Sequence, residues 1–294
     1  MRIRSQQVVV AGIDGSPASV TAARWAAQQA YHRRQTLHVM HAFRATPSVF
    51  AGRDYASDTS ALVRAEGALM LAEVSAELRA RVPGVQIRMT LARADPRLSL
   101  VEASAGARLT VLGRHRRGSR REHLGSVASH VAAHGCSPVA VLPEDPVRSD
   151  GPILLGVDGS AGCHSALGYA FDEAAVRGAD LFALHAREVT GQGLGRRPVL
   201  DAAEGREEHA VLAEQLAGWQ EKYPDVTVRQ YVVPGRPGPA LLGYARHPSV
   251  HPQMIVIGGH GRGGLAGFLL GSTGHTLISQ APCPVVLARP DPPG

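Results

Sequence analysis

Gln7-Val8-Val9-Val10-Ala11-Gly12-Ile13-Asp14-Gly15-Ser16 recurs as Gly151-Pro152-Ile153-Leu154-Leu155-Gly156-Val157-Asp158-Gly159-Ser160. Both stretches are an apolar run closed by Gly-x-Asp-Gly-Ser. Working outward, the second copy follows the first in the same order. Leu37-His38-Val39-Met40-His41-Ala42 matches Leu181-Phe182-Ala183-Leu184-His185-Ala186, and Thr110-Val111-Leu112-Gly113 matches Ile255-Val256-Ile257-Gly258. Leu124-Gly125-Ser126 then matches Leu270-Gly271-Ser272, and Ser137-Pro138-Val139-Ala140-Val141-Leu142 matches Cys283-Pro284-Val285-Val286-Leu287-Ala288. A period this long means a duplicated domain rather than a solenoid. The expected domains are residues 1–143 and 151–290, joined by a polar, Pro-containing linker over 144–150.

Within each half, short apolar runs alternate with helical patterns. The first half reads as a strand over Val8 to Ile13 and a helix capped by Ser16 with Pro17 at its first position. Ala22, Ala23, Ala26, Ala27 and Ala30 recur at helical spacing. A strand over Thr36 to Ala42, a long helix from about Ser60 to Arg81 and a strand over Val85 to Ala92 follow. Then come a helix from Pro96 to Ala105, a strand over Leu109 to Leu112, a helix from Ser126 and a strand over Val139 to Leu142. The second half repeats this, with its long helix near Asp201 to Tyr223. Nearly continuous apolar strands separated by helices imply a parallel sheet covered on both faces. Right-handed crossovers make it open and doubly wound. The expected fold class is α/β, with two tandem five-stranded parallel sheets. Such sheets take ligands beyond the carboxyl ends of the strands, at the switch point.

The chain has 294 residues, 44% hydrophobic, 19% charged and only 4% aromatic, so each half builds its core from Ala, Val, Leu and Ile. The formal charge of +6 favours anionic partners without choosing among them. Lys222 is the single lysine; the positive charge is otherwise arginine, which reads as biased composition. Cys136, Cys163 and Cys283 form no C-x-x-C pair and are odd in number, as in a reducing compartment. No apolar stretch reaches the roughly 18 residues of a membrane span. The opening residues run into Val8 without a leader, so a soluble cytoplasmic protein is expected.

The stretch that carries chemistry is Gly258-Gly259-His260-Gly261-Arg262-Gly263-Gly264-Leu265-Ala266-Gly267-Phe268-Leu269-Leu270-Gly271-Ser272. It leaves an apolar strand and enters a helix at Ser272-Thr273. Glycines bring backbone N–H groups close to a ligand and form an anion nest. The helix start adds unpaired N–H groups and the positive end of its dipole. Ser272 and Thr273 add hydroxyl donors. This is the chemistry of a phosphate cradle. A loop that merely joins strand to helix has the same composition, and both readings stand at this level.

Gly258-x-x-Gly261, nine residues, then Gly271-Ser272 resembles the ATP-binding signature of the universal stress protein family. Gly156-Val157-Asp158-Gly159-Ser160 and Ala281-Pro282-Cys283-Pro284-Val285-Val286-Leu287 resemble that family's opening and closing strands. The resemblance covers both halves. It implies a Rossmann-like sheet of the adenine-nucleotide alpha-hydrolase kind. It places adenine between Val157, Asp158 and the region of Ala186, with ribose and phosphates along Gly258, His260, Gly261, Gly271, Ser272 and Thr273. Mg²⁺ would accompany the phosphates. In the first half the corresponding, weaker site is Ile13, Asp14, Gly113, Gly125 and Ser126. There, Arg116 stands where the second glycine belongs, and the segment from Gly113 to Gly125 is one residue shorter than from Gly258 to Gly271. Arg114, Arg116, Arg117, Arg120 and Arg121 still attract phosphate.

There is no G-x-x-x-x-G-K-[ST] loop, no paired carboxylates and no water-activating base beside the cradle. That points to binding more than turnover. The expected function is an ATP-binding regulator that changes conformation or partners with nucleotide. The alternatives are a slow ATPase or nucleotidyl transferase, or an interaction protein with a vestigial cleft. Nucleic acid is an unlikely partner, because no recognition helix or aromatic platform is present. His130 and His134, four apart, carry no third metal ligand in the sequence. Val139 to Leu142 and Val285 to Ala288 come last in their halves, at a sheet edge in the family's strand order, where apolar edges pair with other strands. The expectation is an intrachain pseudo-dimer through these strands, with any homodimer using other surfaces. Small-angle scattering should then fit one particle; two independently tumbling lobes would refute it.

Overall fold

The computed structural model describes residues 8–44, 53–114, 125–145, 148–187, 204–259 and 270–290. The chain splits into two compact units, Met1–Pro146 and Val147–Gly294. The first unit runs β1 (Val8–Gly12), α1 (Pro17–His32), β2 (Thr36–Phe43), α2 (Arg53–Arg81), β3 (Gln86–Arg93), α3 (Pro96–Ser104), β4 (Leu109–Gly113), α4 (Ser126–His134) and β5 (Val139–Leu142). The second runs β6 (Ile153–Val157), α5 (Ala161–Arg177), β7 (Leu181–Arg187), α6 (Glu204–Lys222), β8 (Val228–Pro234), α7 (Pro237–Arg246), β9 (Met254–Gly258), α8 (Ser272–Gln280) and β10 (Val285–Ala288). Strand order in the first is β3-β2-β1-β4-β5 and in the second β8-β7-β6-β9-β10. The described ladders within each unit are all parallel. Each unit is the doubly wound α/β sheet its sequence implies.

The local chemistry is as the residues dictate. Ser16 sits in extended backbone and its Oγ accepts from Ser19 N at 3.2 Å, while Pro17 takes the first helical position. Ala22, Ala23, Ala26, Ala27 and Ala30 are all fully buried, so the buried face of α1 is mostly methyl groups, with Trp25 as its one large apolar side chain. In the second unit Ile153, Leu154, Leu155, Phe171, Leu181 and Leu184 have almost no exposed surface. Each such side chain contributes about 1.5–3 kcal/mol by leaving water. α5 ends on Gly178 at φ 60°, the left-handed C-cap that glycine adopts without strain. Helices α1 and α2 cover one face of the first sheet and α3 and α4 the other; α5 with α6 and α7 with α8 do the same in the second.

Two elements differ from the sequence pattern. β1 ends at Gly12 rather than Ile13, because the ladder to β2 stops at Gly12↔Met40. α2 starts at Arg53 rather than near Ser60; residues 53–60 have no apolar stripe, so periodicity does not reveal them. No helix among the described residues is long and apolar enough to cross a membrane.

One buried polar contact makes the first unit acid-sensitive. His38 on β2 is 7% exposed. Arg88 Nη2 donates to its Nδ1 at 3.1 Å, which puts the ring proton on Nε2, 2.8 Å from Thr90 Oγ1. Burial first, then the neighbouring Arg88 charge, lowers the His38 pKa from 6.5 to about 4. The fold therefore holds the neutral ring. Its contribution is complete above the unfolded value and is lost as pH falls from 6.5 through 4. Urea unfolding at pH 6.5 and pH 4 should show His38→Gln losing on the order of 2 kcal/mol less than the parent across that interval. Equal losses would contradict this account.

Candidate functional site at the carboxyl edge of the second sheet

The site begins where two strands part. β6 stays registered with β7 to Val157↔His185, but its ladder with β9 stops at Leu155↔Val256. The first unit shows the same parting: β1 follows β2 to Gly12↔Met40 and β4 only to Ala11↔Val111. The chain leaves β6 toward the α5 face and enters β9 from the α7 face. The gap is thus the topological switch point, beyond the carboxyl ends.

The end of this crevice beside β6 and β7 is held by short hydrogen bonds between side chains and backbone. His185 Nδ1 lies 2.8 Å from the Val157 carbonyl oxygen, so the ring donates there and pins the end of β6 to β7. His41 does the same to Ile13 O at 2.8 Å in the first unit. Asp158 follows Val157, and its Oδ1 accepts from Ser160 N at 2.9 Å, making an Asx turn into α5. Asp14 repeats this with Ser16 N at 3.0 Å and also accepts from Ser16 Oγ at 2.6 Å. The carboxylates expected at the base edge therefore also shape the turn. Ala186, next to His185 on β7, is half-buried.

The floor is glycine because a helix lies on it. A Cβ on Gly258 would sit 2.7 Å from Gly162 O and 2.9 Å from Gly162 C, both backbone atoms of α5. On Gly113 it would sit 2.4 Å from Ala18 C and 2.6 Å from Ser19 N of α1. Contacts that short do not occur, so the first helix of each unit rests backbone-on-backbone against the end of the fourth strand.

At the other end of the crevice α8 starts on Gly271, with extended backbone (φ −60°, ψ 157°) and no side-chain cap. A Cβ on Gly271 would meet nothing within 4 Å among the described residues. Gly271 and Ser272 are exposed and Thr273 is half-buried. The helix behind them is fixed: Leu277 and Ile278 are buried, and Arg246 Nη2 donates to Gln280 O at 3.1 Å at its far end. His260 and Gly261 lie outside the described residues. In the first unit α4 starts on Gly125 in the same way, uncapped, with Ser126 exposed. Arg116, Arg117, Arg120 and Arg121 lie outside the described residues; Arg114 is 8% exposed at the end of β4.

The structure thus brings Val157, Asp158, Ala186, Gly258, Gly271, Ser272 and Thr273 to one sheet edge, around a crevice that ends at the start of α8, which has no side-chain cap among the described residues. The universal stress protein family model matches twice, over residues 6–143 and 151–289. The chain belongs to the universal stress protein family. A universal stress protein of Mycobacterium tuberculosis is 37% identical over 295 residues, covering 97% of this chain and 98% of the relative. A second from that organism is 34% identical over 305 residues, covering 96% and 94%. A crystal structure of a universal stress protein from Archaeoglobus fulgidus shares the fold at a TM-score of 0.73 and 19% identity, covering 96% of this chain and 98% of that one. The two halves of the chain are tandem universal stress domains.

The sequence pattern gives His41 and His185 no role beyond their place in the matched strands. Their signal is that each occupies the same place in the duplicated strand, two residues short of its end in one unit and of the corresponding end in the other. His130 and His134 stack with ring centroids 4.2 Å apart, and His134 Nδ1 lies 2.8 Å from His130 O. Among the described residues no three metal-ligating side chains cluster. The glycines of this universal stress domain should separate by role. Gly258→Ala should cost about 1–3 kcal/mol in denaturant unfolding, because backbone must move. Gly271→Ala should stay within about 0.5 kcal/mol. The reverse order would show that the open space at Gly271 is misread.

Proposed function

We propose that the second unit binds ATP with Mg²⁺ and that the protein acts as a regulator whose conformation or partners follow nucleotide occupancy. The observation that carries this reading is the start of α8: a helix of nine residues with no side-chain cap, whose N-cap is a glycine with no described residue within 4 Å of its Cβ position. N–H groups left unpaired there, together with the helix dipole, suit a phosphate chain. The donor set fits the group in chemistry and in room. Gly258, Gly271, Ser272 and Thr273 would hold ribose and phosphates, with His260 and Gly261 of the loop joining them. Val157, Asp158 and Ala186 would line the base, with His185 keeping the Val157 carbonyl in place.

Binding rather than turnover suits the groups at hand. Asp158 commits one oxygen to the α5 turn, which favours a recognition role for the carboxylate over that of a mobile general base. The first unit has the same crevice and an uncapped α4, but Arg114 takes the place of Gly259 and Arg116 that of Gly261. We read it as the weaker site.

Calorimetry of the full chain with Mg-ATP should give one strong site per chain, lost at least tenfold in a folded Gly271→Val variant. Unchanged affinity in that variant sinks the placement; two equal, independent sites sink the asymmetry. Mass spectrometry of nucleotide released from freshly purified protein identifies the natural ligand.

A further inference from the structure

The two units deliver an arginine to the phosphate end of their crevices from different strands. Gly259 and Arg114 are equivalent: each follows the last residue of the fourth strand, and each N–H donates to the fifth, Gly259 to Ala288 O at 2.9 Å and Arg114 to Leu142 O at 2.7 Å. Across from them the chemistry is exchanged, because Arg289 follows β10 where Pro143 follows β5. A Cβ built on Gly259 would lie 3.7 Å from both Cγ and Nη1 of Arg289. The guanidinium therefore lies beside Gly259, in the space that the Arg114 side chain leaves from in the other unit.

The face it occupies follows from the strand period. Leu287 Cδ2 lies 3.5 Å from a Cβ built on Gly274, so Leu287 points toward α8. Arg289, two residues on, leaves the sheet on that same face and nearer the carboxyl edge. α8 connects two parallel strands and so runs against them, with Ser272 at that edge. Arg289 accordingly stands at the level of the first turn of α8, where an N-cap glycine supplies no oxygen of its own.

Resting on the nucleotide reading above, we propose that Arg289 is a phosphate-binding residue of the second unit, which makes the site selective for polyphosphate over nucleoside. A guanidinium offers five N–H donors in a planar fork, enough to keep its protein contacts and still take two phosphate oxygens. Arg114 offers the same charge to the first unit from β4. A guanidinium retained at one place through an exchange of strands fits a role in binding charge better than one in packing.

The test is calorimetry on the full chain with Mg-ATP, AMP and adenosine, for the parent, Arg289→Met and Arg289→Lys. Arg289→Met should weaken ATP roughly tenfold to a hundredfold, AMP less and adenosine by less than twofold. Arg289→Lys, which keeps charge and stem but loses the fork, should fall between parent and Met for ATP and leave adenosine unchanged. If Met does not yield folded protein, the Lys variant decides alone. Equal loss for ATP and adenosine, or no loss for ATP, overturns the proposal. A parent chain that binds none of the three overturns the nucleotide reading itself, which is a different outcome from a parent that binds while the variants are indifferent.

Discussion

Everything at the carboxyl edge depends on one contact: the first helix of each unit lies backbone-on-backbone against the end of the fourth strand. Gly258 against Gly162, and Gly113 against Ala18, leave no room for a single carbon between helix and sheet. That closeness sets the height of α5 and α1 above their sheets, and the alanines of α1 extend it along the helix. It also fixes how far the neighbouring strands have parted before the chain turns away. A wider separation at this point would lower the helix start into the crevice or lift it off the core.

The same frame carries different ends. In both units the aspartate after the first strand takes the N–H of the serine two residues on, but Ser16 also caps α1 and donates its hydroxyl to Asp14, whereas Ser160 makes no side-chain cap bond. Met70 of α2 reaches over Gly15, its sulfur 3.0 Å from where a Cβ would be. At the end of the second strand, Phe43 is buried in the first unit, whereas Arg187 in the second pairs with Glu208 at 3.1 Å. Duplication has kept the backbone constraints and let the chemistry of the rim diverge.

The parts of this structure that sequence announces are those set by local chemistry and periodicity. Strand-helix alternation and the Ser16-Pro17 helix start each have one physical reading, so fold, repeat and the crevice edge were legible, whereas the glycine run from Gly258 to Gly271 kept two. The start of α2 was not, because Arg53 to Ser60 has no apolar period to detect. The roles of His185 and Arg289 were hidden for another reason. His185 matters through a hydrogen bond to a carbonyl on a different strand, and Arg289 through its distance from Gly259. Arg289 aligns with Pro143, so comparison of the repeats points away from it rather than toward it.

The bare start of α8 links occupancy to stability. A serine or aspartate at an N-cap secures a helix by about 1 kcal/mol relative to alanine, and by only a few tenths relative to glycine. Gly271 brings no side-chain oxygen, so on the nucleotide reading proposed above a phosphate would complete the first turn of α8. An anion that docks there at a hundredfold its dissociation constant adds about 2.7 kcal/mol to the folded state. On that reading the melting point of the second unit would gauge the concentration of its ligand.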